Sequence, residues 1–184
     1  QEWITTNPAA QVEQLRVNRK KPEFLTSQEL GELIQAIDHP IGKAIAQTLA
    51  YTGLRIAECL NLTLEDIDLE NNIIHVINGK GGKDRDVPFS NALHSILTAY
   101  LEEIRPKTTS NFFFATKKTG RFSPAYMNRI LDDAVQKLGW TKNITCHTLR
   151  HSYASILVNE KGASLSHVAE ILGHEDYRTI TNLY

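Results

Sequence analysis

Residues 147–184 read HTLRHSYASILVNEKGASLSHVAEILGHEDYRTITNLY, and this stretch decides how the rest of the chain is interpreted. Its apolar spacing predicts a helix over residues 147–159 and another over residues 165–172 that ends at Gly173. The motifs HTLRH and LGH bring three imidazoles and a guanidinium next to these helices, and a phenol follows at Tyr184. A phenol beside such a cluster is typical of a nucleophile. The stretch therefore suggests one half of a phosphate site and raises the question of what supplies the rest.

Upstream, capping signals and apolar periodicity predict a mostly helical chain. Thr26 and Glu29 have the spacing of a capping box, and helical periodicity follows them. A second helix begins near Pro40, whose fixed φ suits a first turn, and ends at Gly53 in a left-handed conformation. Three more predicted helices span Leu54 to Leu60, Ser90 to Ile104 before Pro106, and Ser123–Pro124 to Gly139.

A β-hairpin is predicted between these helices. Ile73–Ile77 is a β-rich run, a glycine-rich turn carries Lys80 and Lys83, and Arg85–Phe89 forms the returning strand. The glycines permit close approach to a partner, whereas the Walker spacing of a nucleotide-binding loop is missing. The alternative is a flexible polar tip. Phe112–Ala115 predicts a further short strand or a buried extended segment, so the fold class is α+β, mostly helical, with a small antiparallel β-sheet or hairpin.

Arg55 occupies the first turn of a predicted helix, where a cation opposes the helix dipole. A residue placed against local preference often belongs to a site. Arg55 and Glu58 are three residues apart and can pair on one helix face, although an exposed ion pair of little consequence is the alternative.

Composition sets outer limits on the class of protein. The 184 residues are 41% hydrophobic and 22% charged, as in a soluble domain, and no apolar run approaches the length of a membrane span. Cys59 and Cys146 offer neither a disulfide framework nor a metal spacing, which favours a reducing cytoplasm. A net charge of −1 argues mildly against nucleic acid. Basic clusters at residues 16–21, 80–85 and 117–121 soften that objection, because a bipolar molecule can present one basic face.

The residues around His147 raise two other chemistries. A zinc site with His151 lacks the glutamate of the HExxH pattern, whose place Thr148 occupies, so no metal is expected. Cysteine nucleophilic chemistry at Cys146 lacks an orienting partner in the sequence.

Five motifs together resemble those of the tyrosine recombinase (phage integrase) family. They are Thr52–Glu58, Gly79–Lys83, His147–His151, Leu172–His174 and Tyr184, in the family's order and near its spacing. Each motif alone is weak, but five in register over about 130 residues are specific. The resemblance covers the catalytic domain, residues 24–184, and residues 1–23 resemble the linker that follows that family's N-terminal DNA-binding domain. It implies a chain truncated after the nucleophile.

The resemblance also implies the site. Its catalytic residues would be Arg55, Lys80, His147, Arg150, His174 and Tyr184, with Glu58 as a supporting acid. Tyr184 would attack a phosphodiester to give a 3′-phosphotyrosine, with no cofactor, metal or ATP. The residues expected to contact DNA are Lys83, Arg85, Lys117, Lys118 and Arg121. Tyr177 lies too close to His174 for the family's nucleophile and is expected to pack.

The implied partner is double-stranded DNA carrying specific recombination sites. The full-length protein is expected to be tetrameric on paired sites, in the cytoplasm of a prokaryote or in a phage or mobile element. The isolated fragment is expected to be monomeric and to recombine feebly. The alternatives are a nicking-closing enzyme of the type IB topoisomerase kind and a non-catalytic DNA-binding regulator of the same fold.

Overall fold

The computed structural model describes residues 23–77 and 84–173. The predicted linker up to residue 22, the turn with Lys80 and Lys83, and the segment with His174, Tyr177 and Tyr184 lie outside the described residues. In chain order the helices and strands are α1 Ser27–Ala36, α2 Pro40–Thr52, α3 Ile56–Asn61, β1 Ile67–Asp68, β2 Ile73–Val76, β3 Arg85–Pro88, α4 Asn91–Ala99, α5 Pro124–Lys137, α6 Cys146–Asn159 and α7 Leu165–Leu172. The α+β, mostly helical class is therefore confirmed.

The predicted helix ends are largely confirmed. Thr26 and Glu29 form the reciprocal capping box at the start of α1. Ser90 and Ser123 cap α4 and α5 through their hydroxyl oxygens. Gly53 closes α2 with φ of 64°, in the left-handed region that a residue with a Cβ adopts at a cost.

Helices α2 and α6 form the centre of the molecule. Helix α2 contacts α1, α3, α4 and α6, and it carries a nearly continuous run of buried residues. Such all-round burial is typical of a central helix. Its small residues, including Ala44 and Ala46, let the neighbouring helices approach closely. Helix α2 ends and α6 begins at the same side of the molecule. The residues that follow α2 therefore meet those in the first turns of α6.

A three-stranded antiparallel sheet in the order β1-β2-β3 lies beside this helical core. The predicted hairpin strands are confirmed, with Val76 opposite Arg85 and Ile73 opposite Pro88. Strand β1 was not predicted, because its two residues, Ile67 and Asp68, lie in an acidic stretch too short for an alternating pattern. The sheet thus fixes both strands that flank the glycine-rich turn.

The predicted helix from Ser90 to Ile104 changes character at its end. After Ala99 the chain makes a π-helical turn over Tyr100–Ile104, where the Arg105 N–H donates to the Tyr100 carbonyl at 2.7 Å. The buried Tyr100 hydroxyl donates to the Phe113 carbonyl at 3.1 Å. Phe112 makes a single antiparallel bridge to Thr63, so the 112–115 segment is the predicted buried extended piece.

None of the helices in the described ranges is both long and apolar enough to cross a bilayer.

Candidate active site

Four segments that are distant in sequence meet at one side of the core. They are the end of α2 at Gly53, the start of α3 at Arg55, the first two turns of α6, and the end of α7 at Gly173. The first residue of β3 completes the group from the sheet side. Helix ends leave backbone groups unpaired, so this junction offers acceptors and donors that side chains can organise.

Arg150 ties two of these segments together. Its side chain is buried, with the residue only 3% exposed, and Nη2 donates to the Leu172 carbonyl at 2.7 Å. Nη1 makes a short hydrogen bond to the Gly53 carbonyl. These carbonyls lie at the C-terminal ends of α7 and α2, where a cation is favourable. Burial lowers the pKa of Arg150 to about 10, with further lowering from the charge of Arg55, so the guanidinium stays cationic at neutral pH.

Arg55 lies beside Arg150 and is held in a similar way. It is the N-cap residue of α3, and its Nη2 donates to the Gly173 carbonyl at 3.3 Å. The two guanidiniums therefore bind successive carbonyls of the chain, those of Leu172 and Gly173. The Arg55 side chain is 24% exposed, so part of it faces solvent while Arg150 lies behind it.

Glu58 is the carboxylate that organises this side of the site. Its Oε1 accepts from Arg55 Nη1 at 2.7 Å, and its Oε2 accepts from the Arg55 backbone N–H at 2.9 Å. The predicted pairing of Arg55 with Glu58 is thus present, and the Glu58 side chain, only 8% exposed, is far from the exposed ion pair of the alternative.

A second arginine binds the same carboxylate. Arg85 donates to Glu58 through both terminal nitrogens, at 3.1 Å and 2.8 Å. Burial by itself raises the pKa of Glu58, but the hydrogen bonds from Arg85 and Arg55 outweigh it and bring that pKa down to about 2. Glu58 is therefore ionised at any physiological pH, and one negative charge faces three guanidiniums.

His147 and His151 stand on one face of the first turns of α6, with their ring centroids 4.2 Å apart and edge to face. Partial desolvation lowers the pKa of the exposed His147, and the charges of Arg150 and Arg55 lower it further. Burial, the adjacent His147 ring and the charge of Arg150 lower the pKa of His151 to about 4. Both rings are neutral at pH 7, so His147 can accept a proton.

Cys146 does not share the properties of a nucleophilic cysteine. It is buried, and desolvation raises its pKa to about 12. Because the thiolate is the reactive form, the structure gives no support to cysteine chemistry beside His147.

Of the residues predicted to contact DNA, the four that the structure describes fall into two groups. Lys117, Lys118 and Arg121 are exposed on one loop, and Arg121 also bonds the Asn61 side chain at the far end of α3. Arg55 caps the near end of that helix, about 9 Å away along the axis. Arg85 is instead largely buried against Glu58, a contact that spans 27 residues and that spacing alone did not reveal.

Comparison with known proteins agrees with this architecture. The family model described as the phage integrase family matches residues 23–184, and the chain belongs to that family. The predicted resemblance is thereby confirmed.

Similar sequences carry related names. The chain is 35% identical over 193 residues to the tyrosine recombinase XerC of Oceanobacillus iheyensis, a match that covers 99% of this chain and 62% of the relative. It is 36% identical to a tyrosine recombinase of Thermosipho africanus, over 98% of this chain and 63% of the relative. The chain thus spans about three fifths of the length of these relatives.

Solved structures share the fold. The crystal structure of XerA recombinase superposes with a TM-score of 0.79 at 31% identity, covering 89% of this chain and 60% of that one. The XerH site-specific recombinase bound to difH substrate gives a TM-score of 0.74 at 26% identity, covering 89% of this chain and 50% of that one. The tyrosine recombinase catalytic fold expected from the sequence is confirmed.

Proposed function

We propose that this chain is the catalytic part of a site-specific DNA recombinase that cleaves and rejoins DNA through a 3′-phosphotyrosine intermediate. The observation that carries the proposal is the placement of Arg55 and Arg150 on the successive carbonyls of Gly173 and Leu172. Guanidiniums match the geometry of phosphate oxygens better than any other side chain. The family and the similarity to tyrosine recombinases support the same reaction class.

In the proposed cleavage step, the Tyr184 oxygen bonds to phosphorus as the bond from phosphorus to the 5′ oxygen breaks. His147 takes the phenol proton, which fits a neutral imidazole, and Lys80 gives a proton to the leaving 5′ oxygen. The products are a phosphotyrosine and a free 5′-hydroxyl. Attack by a 5′-hydroxyl of another strand reverses the step and completes strand exchange without ATP.

In this proposal the cationic groups stabilise the charge of the transition state. Arg55 and Arg150 would bind the non-bridging oxygens, on which charge grows in the transition state, and His174 would donate a third hydrogen bond. Glu58 would hold Arg55 in place. These groups supply the stabilisation that a metal ion supplies elsewhere, so we propose a metal-independent reaction that proceeds in the presence of EDTA.

We propose double-stranded DNA with a specific recombination site as the substrate, by analogy with XerH, whose structure is bound to difH substrate. Lys83, Lys117, Lys118 and Arg121 are proposed DNA contacts. Residues 1–23 are proposed to link this domain to an N-terminal DNA-binding domain. The full-length protein is proposed to act as a tetramer on paired sites in a prokaryote or mobile element, and the chain alone as a monomer that recombines feebly.

Covalent trapping tests the reaction. The full-length protein is incubated in EDTA with a nicked suicide duplex that carries a site selected for specific binding, and denaturation-resistant protein–DNA adducts are measured. We expect an adduct with the unsubstituted protein and with the matched control Tyr177→Phe, and none with Tyr184→Phe.

Each other outcome points to a different function. An adduct that persists in Tyr184→Phe but vanishes in Tyr177→Phe shows that Tyr177, and not Tyr184, is the nucleophile. Relaxation of supercoiled DNA without synapsis of two sites indicates a nicking-closing enzyme. Specific binding with no adduct from any variant indicates a DNA-binding regulator and refutes the proposal.

A further inference from the structure

Arg85 lies where the sheet meets the candidate active site. It is the first residue of β3, and its two terminal nitrogens bind the two oxygens of Glu58. Its side chain is only 16% exposed. Two parallel hydrogen bonds between a guanidinium and a carboxylate fix the orientation of both groups. The fork of Arg85 is therefore occupied within the protein.

The stem of Arg85 rests on the turn that ends α7. Gly173 has φ of 63°, and a Cβ at that position would lie 3.3 Å from both Cδ and Nε of Arg85. This spacing shows that the Arg85 stem lies directly against the Gly173 backbone. The Gly173 carbonyl in turn accepts from Arg55, and Gly173 directly precedes His174. Arg85 thus packs against Gly173, the residue whose carbonyl Arg55 binds and which directly precedes His174 in the sequence.

Arg85 also belongs to the strand that leaves the glycine-rich turn. It follows Lys80 by five residues and stands opposite Val76, the last residue of β2. A fixed side chain at this place anchors the base of the hairpin against α3.

The sharing of Glu58 controls what Arg55 can do. With Arg85 in place, Glu58 gives its Oε1 to one terminal nitrogen of Arg55, and the other nitrogen reaches Gly173. Without Arg85, Glu58 is able to move its Oε2 from the Arg55 backbone N–H to the Arg55 guanidinium and close a bidentate pair. Such a pair would occupy the two terminal nitrogens of Arg55 that a phosphate needs.

We propose that Arg85 is a positioning residue that shares Glu58 with Arg55, keeps the Arg55 fork available and anchors the base of the Lys80 hairpin. This inference rests on the proposed function and replaces the expectation that Arg85 contacts DNA. Both terminal nitrogens of Arg85 bind Glu58, whereas Arg55 gives Glu58 only one, so the Arg85 fork offers little to a DNA phosphate.

Binding and cleavage measurements on the full-length protein separate the two roles. For Arg85→Ala and Arg85→Lys, we would measure DNA affinity at several salt concentrations and single-turnover cleavage at saturating DNA. We expect Arg85→Ala to slow cleavage by roughly 100-fold, the effect of misplacing a catalytic group by about 1 Å. Affinity and its salt dependence stay unchanged, and Arg85→Lys recovers part of the rate because an ammonium still binds Glu58.

A second substitution distinguishes positioning from a general structural defect. In the Arg85→Ala background, Glu58→Gln removes the charge that captures Arg55, so the double variant is expected to cleave faster than Arg85→Ala alone. Arg129→Ala is the matched control, because Arg129 is exposed and stacks on Tyr126 with its guanidinium carbon 4.8 Å from the ring centroid. It should leave the cleavage rate unchanged.

Three outcomes are decisive. Weaker binding with a salt slope reduced by about one and an unchanged saturated rate makes Arg85 a phosphate contact and overturns the proposal. A double variant slower than Arg85→Ala overturns it as well. If the unsubstituted protein forms no adduct, the proposed function fails instead. The sharing of Glu58 by Arg85 and Arg55 is then tested by NMR titration of the Glu58 carboxyl. Arg85→Ala should raise its midpoint, and an unchanged midpoint in Arg85→Ala refutes the sharing.

Discussion

Arg150 and Gly53 are 97 residues apart in sequence and are joined by a short hydrogen bond from the guanidinium to the glycine carbonyl. The same guanidinium reaches the Leu172 carbonyl at 2.7 Å. One buried cation therefore connects the ends of α2 and α7 and is itself oriented by them. Stability and the candidate chemistry depend on the same side chain.

Arg150→Gln should lower both stability and cleavage. Two buried carbonyls lose charged donors, and we expect the free energy of unfolding to fall by about 1–3 kcal/mol in urea denaturation. Loss of one preorganised cationic donor should also slow cleavage by roughly 100- to 1,000-fold.

Arg105→Gln is the matched control for this prediction. Arg105 also donates to carbonyls, those of Ser110, Phe112 and Phe113, but it lies away from the site. It should lose stability without losing cleavage by the folded protein. Equal cleavage by Arg150→Gln and Arg105→Gln would count against the role of Arg150.

Gly53→Ala should destabilise the fold strongly. The residue has φ of 64°, and a Cβ there would lie 2.7 Å from Leu172 Cδ2 and closer still to the Tyr153 ring. Strain at such a φ costs on the order of 1–3 kcal/mol before the clash is added. Gly31→Ala is expected to have the opposite sign, since Gly31 lies on the exposed face of α1 with no atom within 4 Å of its Cβ position. Thermal melting of the two variants tests the pair, and equal melting temperatures would contradict it.

Stability should fall as the pH drops from about 7 to about 4. The pKa of His151 is lowered to about 4 from 6.5, so in this window the unfolded chain binds a proton that the folded chain excludes. The loss is complete below the folded pKa and amounts to at most about 3 kcal/mol. His147, whose pKa is also lowered, adds to it with the same sign. In His151→Gln, urea denaturation across this range should show a shallower dependence on pH; an unchanged slope would remove His151 as its source.

Ser152→Ala should cost more than Ser155→Ala. The fully buried Ser152 hydroxyl accepts from the Leu25 N–H at 2.8 Å, and its loss leaves that buried donor without this acceptor. We expect a loss of about 1–3 kcal/mol. The Ser155 hydroxyl accepts from Asn159, which is exposed and can bond to water instead. Urea denaturation compares the two, and an equal cost would show that burial of the Leu25 amide is not the cause.

The sequence predicted the parts of the fold that follow from local rules. Capping at Thr26, the left-handed Gly53 and the pairing of Arg55 with Glu58 all depend on residues within four positions of one another. Strand β1 and the π-helical turn were missed because tertiary packing, rather than a local pattern, decides them.

The candidate site was predictable in its residue types but not in its connections. The resemblance singled out Arg55 and Arg150, yet the carbonyls they bind leave no mark on the sequence, since every residue has one. The pairing of Arg85 with Glu58 spans 27 positions and two kinds of secondary structure. The charge of Arg85 was visible in the sequence, but its direction, toward Glu58, was not.

The long sequence separations within the site bear on how the protein is made. During synthesis, Arg55 leaves the ribosome long before Arg150, and the Leu172 carbonyl that orients Arg150 comes 22 residues later still. A nascent chain that has reached only α5 carries one of the two arginines proposed to bind phosphate, and it has the end of α2 but not the end of α7. The capacity proposed here for breaking DNA would therefore arise only when translation of the domain is nearly finished.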